Sequence, residues 1–193
     1  AEMGLSLVGI DCDLGEASVQ IASDSYSIGE LATRRLIDDG CSRILCLRSN
    51  SRMRMPANKR TDAYLDVVEQ AGLPALVREV EFVKPDDEKS AVVAKILDEN
   101  PDIDGIFAGD DTMAAICLNV MKQRGLSAPD DIKVVGADGA RRTMTFMPDL
   151  TTVRQDIDRI GELAAQSIIA LINGDNPESN IKLPVELIEG KTA

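Results

Sequence analysis

Apolar residues along the chain alternate between short continuous runs and longer segments with helical spacing. The runs in 43–47, 105–109 and 132–138 are apolar on both faces, which is typical of parallel strands covered by helices on each side. The segment 28–40 instead repeats apolar residues every three or four positions and ends in glycine, as an amphipathic helix does. The pattern predicts an α/β fold built from βαβ units around a parallel sheet.

The same alternation continues through the whole chain. Strands are predicted at 6–11, 19–23, 43–47, 77–83, 105–109 and 132–138, with a final extended segment at 181–188. Helices are predicted at 28–40, 60–73, 87–100, 112–126 and 159–174. The stretch 49–59 is the one long loop candidate. The polar, β-branched stretch 147–156 is either a surface loop or an extended crossover between two lobes, with Gln155 reaching into a cleft.

Charge and composition remove several classes of function. The 193 residues carry a formal net charge of −12 with no basic run, so nothing in these residues resembles a nucleic-acid surface, which leaves a further segment as the place for one. There is no histidine, which excludes His-dependent triads and His-ligated metal sites. The four cysteines form no CxxC pair and predict buried, reduced, cytosolic thiols. No apolar run approaches the roughly 20 residues of a membrane span.

Charged residues follow three of the predicted strands. In parallel sheets, ligands bind beyond the carboxyl ends of the strands, so groups at these ends are candidates for a site. The sequence places there Arg52, Arg54 and Arg60, then Asp110 and Asp111, then Asp138. One edge of one sheet is therefore expected to collect acids and arginines.

Each of these groups has more than one interpretation. Asp110 and Asp111 suit magnesium, but the chain has neither GxxxxGK[ST] nor GxGxxG to cradle a phosphate. Either aspartate can instead cap the helix that begins near Thr112. Arg60 is a bidentate donor for hydroxyls or carboxylates, or a solvated residue at a helix start. Phe146 and Met147 are core residues or a patch for a subunit partner.

Several motifs together resemble the lactose-repressor (LacI/GalR) family. DDIKVVGADG, PDLTTVRQDIDRIGELAAQSIIALING and KLPVELIEGKT resemble the C-terminal half of that family's effector domain. Upstream, IFAGDDTMAA resembles its strand–Asn-Asp–helix motif and NKRTDAYLDVVEQAG its Arg-x-x-Gly-Phe helix start. SDSYSIGELATRRLIDDGCSRIL resembles the segment that enters the second lobe, and VGID the last strand of the first.

The resemblance implies a periplasmic-binding-protein-like type I fold. Residues 24–155 and 179–193 would form the C-terminal lobe, and 1–23 and 156–178 would be the remainder of the N-terminal lobe. A DNA-binding headpiece and hinge, which such regulators carry, are absent from this sequence.

The resemblance also implies roles for particular residues. Asp111 would be the helix cap. Effector contacts map to Asp24, Arg60, Asp110, Asp138, Gln155 and Asp11, and a dimer interface to Met113, Ile116, Phe146 and Met147. Carboxylates facing a bidentate arginine suit the hydroxyls of a sugar or sugar phosphate, which both donate and accept hydrogen bonds.

The implied function is that of a cytoplasmic, homodimeric repressor without catalytic activity, cofactor or metal, in which the effector controls operator binding allosterically. A periplasmic sugar-binding protein that serves a transporter is the first alternative. An enzyme that uses Asp110, Asp111 and Asp138 with magnesium is the second.

Overall fold

The computed structural model describes residues 6–12, 14, 18–50, 58–81 and 83–193. Its strands are β1 (Val8–Ile10), β2 (Val19–Ser23), β3 (Ile44–Asn50), β4 (Leu76–Glu81), β5 (Gly105–Ala108), β6 (Lys133–Asp138), β7 (Thr151–Gln155), β8 (Asn180–Leu183) and β9 (Val185–Ile188). Its helices are α1 (Ser25–Asp38), α2 (Asn58–Gln70), α3 (Asp86–Glu99), α4 (Asp111–Gln123), α5 (Arg141–Phe146) and α6 (Ile157–Ile172). Arg52 and Arg54 lie outside the described residues.

The strands form two sheets, and the predicted α/β class is confirmed. The large sheet has the order β4-β3-β5-β6-β7-β9 and the small sheet the order β1-β2-β8. All strand pairs are parallel except β7 with β9. Parallel neighbours need a crossover between them, which is why helices separate the strands in sequence.

Three features of this topology differ from the sequence prediction. The stretch around 151–155 is neither a loop nor a free crossover, because it forms strand β7 inside the large sheet. The segment 181–188 is two strands separated by Pro184. Asn180–Leu183, expected in the C-terminal lobe, pair instead with β2 in the small sheet. Proline has no N–H for a ladder, so it suits the point where the chain leaves one sheet for the other.

The chain passes between the two sheets three times. It leaves the small sheet after Ser23, leaves the large sheet after Gln155, and returns at Pro184. Helix α6 packs on β1 and β2 of the small sheet. The short helix α5, which the sequence pattern did not predict, lies between β6 and β7.

Aliphatic cores cover both faces of the large sheet. Successive strand residues point to opposite faces, so Ile106 and Phe107 enter different cores, as do Val134 and Val135. One core lies under α3 and α4, the other under α1 and α2. Burial raises the pKa of Cys46 to about 12, so this thiol stays protonated and packs as a small apolar group. Cys41, Cys46 and Cys117 are free and buried, as predicted, whereas Cys12 is half-buried.

Helix α2 is fixed at its middle and near its start. The Tyr64 hydroxyl donates to the Ile44 carbonyl oxygen (2.7 Å) and accepts from the Leu76 amide (2.8 Å), which ties the helix to β3 and β4. Near its start, α1 crosses so closely that a Cβ at Gly29 would overlap the Arg60 carbonyl oxygen and lie 2.9 Å from the Arg60 Cα. Gly29 therefore sets the position from which Arg60 projects.

The residues expected at a dimer interface separate into two groups. Met113 is 2% exposed and packs in the core under α4, so its side chain offers no surface to a second copy. This corrects the expectation for Met113. Ile116 is also buried and lines a groove between α3 and α4. Phe146 is 76% exposed, and Met147 packs partly against the core.

None of the helices in the described part of the chain combines the length and the apolar character that a membrane span requires.

Substituting Gly29 with alanine should lower the free energy of unfolding by about 1–3 kcal/mol, because the new methyl group forces α1 and α2 apart. Urea denaturation measures this change. Gly161→Ala in α6 is the matched control, since nothing lies within 4 Å of a Cβ at that position. It should leave stability unchanged or raise it by up to about 1 kcal/mol. Equal effects of the two substitutions would contradict the close helix crossing.

Candidate functional site

Polar side chains meet where β3, β5, β6 and β7 end. We call this group the strand-end cluster, and its members are Ser49, Arg60, Asp110, Asp138 and Gln155. Four of them follow or end parallel strands of the large sheet, and Arg60 reaches them from the first turn of α2. The predicted gathering of acids and an arginine at one sheet edge is therefore present in the fold.

Arg60 is the cation of the cluster and is only 9% exposed. Its Nη1 donates to the Gly109 carbonyl oxygen (2.6 Å), and its Nη2 donates to Asp138 Oδ1 (2.9 Å). Its Nε is buried without a hydrogen-bond partner among the described residues. A buried guanidinium held in this way is a fixed donor and not the solvated surface arginine that the sequence also allowed.

Asp138 is the acceptor at the centre of the cluster. Its Oδ1 accepts hydrogen bonds from both the Arg60 Nη2 (2.9 Å) and the Gln155 Nε2 (2.6 Å). Its backbone has φ 105°, in a region that non-glycine residues rarely adopt, and Gly139 follows with φ 58°. Burial raises the pKa of Asp138 above its ordinary value, while the charge of Arg60 opposes that rise.

Asp110, and not Asp111, caps helix α4. Asp110 has extended backbone, with φ −152° and ψ 164°, and its Oδ1 accepts from the Met113 amide (2.8 Å). Its Oδ2 accepts from the Ser49 hydroxyl (3.1 Å). The sequence left the cap open between the two aspartates and the family resemblance favoured Asp111, so that assignment was wrong. An effector contact at Asp110 stays a prediction.

Asp111 is instead a buried carboxylate beneath the cluster, 3% exposed. Its Oδ1 accepts from the Thr152 hydroxyl (2.6 Å), and its Oδ2 accepts from the Gly139 amide (2.9 Å). Burial raises the pKa of Asp111 to about 6, the charge of Asp138 adds to the rise, and these hydrogen bonds oppose it. The sequence offered no signal for this role, since Thr152 and Gly139 are distant in the chain.

Asp24 follows β2 and Asp11 follows β1, the parallel strand beside it in the small sheet. Asp24 caps α1 by accepting from the Ser27 amide (3.3 Å) and forms an ion pair with Lys182 on β8 (2.9 Å). Burial raises the Asp24 pKa, but hydrogen bonds from Lys182 and Ser27 outweigh it, so the pKa is lowered. Asp11 accepts from the Ser23 amide (3.3 Å). Effector roles for both residues stay predictions.

Gln155 lies where the chain leaves the large sheet for the small one. It ends β7, contacts Asp138, and precedes Asp156, which caps α6 by accepting from the Arg159 amide (3.0 Å). An effector contact at Gln155 stays a prediction. One of the three points where the chain passes between the sheets therefore adjoins the cluster.

The carboxylates at this edge are shared among protein donors. Asp110 and Asp111 each accept one hydrogen bond from a backbone amide and one from a hydroxyl. Asp138 accepts one from a guanidinium and one from a carboxamide. Across the described ranges, no three Cys, Asp or Glu side chains converge in the way that a metal ion requires. The arrangement suits a ligand that donates to carboxylates and accepts from Arg60 and Gln155, which describes a polyol.

Comparisons with known proteins place the chain among related proteins. A family model for a periplasmic binding protein-like domain matches residues 33–193. The sucrose operon repressor of Lactococcus lactis subsp. lactis is 32% identical over 184 residues, which cover 95% of this chain and 56% of that protein. The ribose operon repressor of Halalkalibacterium halodurans is 29% identical over 192 residues, which cover 99% of this chain and 57% of that protein. The chain thus spans little more than half the length of these relatives.

Solved structures show the same fold. A transcriptional regulator CelR–cellobiose complex superposes with a TM-score of 0.85 at 26% identity, covering 96% of this chain and 58% of that one. A LacI family transcriptional regulator from Enterococcus faecium with bound ribose superposes with a TM-score of 0.88 at 20% identity, covering 100% and 72%. The second likeness, at that identity, concerns the fold alone.

The raised pKa of Asp111 predicts a pH-dependent stability. A carboxyl whose pKa is higher in the folded than in the unfolded state binds its proton more tightly when folded, so this group stabilises the fold more as the pH falls. The free energy of unfolding, measured relative to Asp111→Asn, should therefore increase by about 1 kcal/mol between pH 7 and pH 5. Urea denaturation of both proteins at each pH gives this difference. If it did not change with pH, Asp111 would not titrate in this range.

Proposed function

This chain belongs to the periplasmic-binding-protein-like domain family, and from that premise we propose that it is the effector-binding domain of a sugar-responsive, LacI-type transcriptional repressor. The resemblance drawn from the sequence motifs is confirmed at the level of this domain. The observation that carries the proposal is the partly buried chain of hydrogen bonds from Arg60 through Asp138 to Gln155, at the carboxyl edge of the large sheet.

The chemistry of the cluster favours a neutral polyhydroxylated effector. A sugar hydroxyl can donate to Asp138 or Asp110 and accept from Arg60 or Gln155. A ligand without these hydroxyls would leave buried polar groups unpaired, and such sites reject it strongly. Because Asp138 already neutralises Arg60, an uncharged sugar suits the described cluster better than a sugar phosphate. The relatives named as sucrose and ribose operon repressors support a sugar effector.

The proposed mechanism is a change in the arrangement of the lobes. The chain crosses between the two sheets at three points, one of which adjoins Gln155. An effector held between the lobes would favour one arrangement and thereby bias a DNA-binding headpiece toward or away from its operator. This coupling cannot exceed the difference in effector affinity between the two arrangements.

The wider assembly follows from the same proposal. A palindromic operator requires a two-fold symmetric reader, so we propose a homodimer that acts in the cytoplasm. Exposed Phe146 and the groove beside Ile116 are its proposed contact regions. We propose no catalytic step, because a regulator of this kind needs only differential binding.

A panel of sucrose, ribose and cellobiose should reveal the effector as a rise in melting temperature. For the sugar that binds, Arg60→Lys should weaken affinity at least about tenfold, because lysine keeps the charge but loses the fork that serves Gly109 and Asp138. Isothermal titration calorimetry measures this loss.

Arg159→Lys on exposed α6 is the matched control and should bind as the unsubstituted protein does. Magnesium chloride alone is the second control. Stabilisation by magnesium without stabilisation by any sugar would contradict the proposal and support the magnesium-dependent alternative.

A further inference from the structure

We propose that Asp111 is the positioning residue of the effector site: it lies beneath Asp138 and holds the Asp138–Gly139 backbone in the conformation that presents the Asp138 carboxylate. The inference rests on the proposed function for its effect on affinity. Asp111 is too buried to touch an effector itself, so any influence on binding must pass through the residues that it holds.

Asp111 joins three elements that are distant in sequence. It is the first residue of α4, its Oδ1 is held by Thr152 on β7, and its Oδ2 accepts from the Gly139 amide in the turn after β6. Asp138 immediately precedes that amide. The hydrogen bond therefore fixes the peptide group through which the Asp138 side chain is oriented.

The turn needs such a restraint. Asp138 has φ 105°, a conformation that costs energy for a residue with a side chain and persists only when its surroundings impose it. On its other side, a Cβ at Gly139 would lie 2.6 Å from the Arg154 Cβ, so the turn is already pressed against β7. The Asp111 carboxylate on one side and the β7 backbone on the other together hold the turn in a single conformation.

The fold also leaves space for this particular carboxylate. A Cβ at Gly136 would lie 2.6 Å from Asp111 Oδ1, so only glycine there permits the carboxylate to reach β7. Burial makes the charged form of Asp111 costly, and the hydrogen bonds from Thr152 and Gly139 offset part of that cost.

Hydrogen exchange tests the positioning without any ligand. In Asp111→Asn, the Gly139 amide should exchange at least about tenfold faster, because it loses a charged acceptor. Asn100→Ala is the matched control. It removes a buried amide that donates to the Ile96 carbonyl oxygen at the end of α3, away from the cluster, and should lower stability without changing Gly139 exchange. If Asp111→Asn fails to fold, Thr152→Val replaces it, since it frees Oδ1 while keeping the carboxylate.

A double-mutant cycle tests whether Asp111 acts through Asp138. With the sugar identified above, Asp111→Asn should weaken affinity about tenfold in the unsubstituted protein and hardly at all when Asp138 is already asparagine. Additive losses, or an unchanged Gly139 exchange rate, would overturn the inference. If no sugar binds the unsubstituted protein, the proposed function fails, and the exchange rate alone then decides whether Asp111 holds the turn.

Discussion

The ion pair between Arg60 and Asp138 is the interaction on which the site depends. It joins the start of α2 to the end of β6 and neutralises two groups that are both largely withdrawn from water. Removing one partner would leave the other charge buried and unpaired. That loss would cost far more folding free energy than the intact pair contributes. The close crossing at Gly29 and the Tyr64 hydroxyl bonds keep α2 where this pair can form.

The aspartates at the strand ends have two different functions that look alike in sequence. Asp24, Asp110 and Asp156 each follow a strand and cap the next helix, which satisfies free amides at its first turn. Asp138 also ends a strand, but the N-cap residue of α5 is Ala140, which makes no side-chain capping bond. Its carboxylate is therefore left for Arg60 and Gln155.

The site concentrates features that lower stability. Asp138 has an unfavourable backbone conformation, Asp111 carries a buried charge, and the Arg60 Nε has no partner among the described residues. Each costs folding free energy, and the aliphatic cores on both faces of the large sheet offset that cost. Such features commonly gather where a protein binds its ligand, because a preorganised site must hold polar groups before the ligand arrives.

The sequence by itself determined the α/β class, the alternation of strands and helices, and the presence of Arg60 and Asp138 at one sheet edge. It could do so because hydrophobic periodicity is a local property and parallel strands end on a common side. Only the tertiary structure decided that Asp110 is the cap, that Asp111 holds Gly139, that Met113 is buried, and that Asn180–Leu183 belong to the small sheet. These depend on contacts between residues far apart in the chain, such as Asp111 with Thr152, and no local pattern specifies which distant partner a side chain will meet.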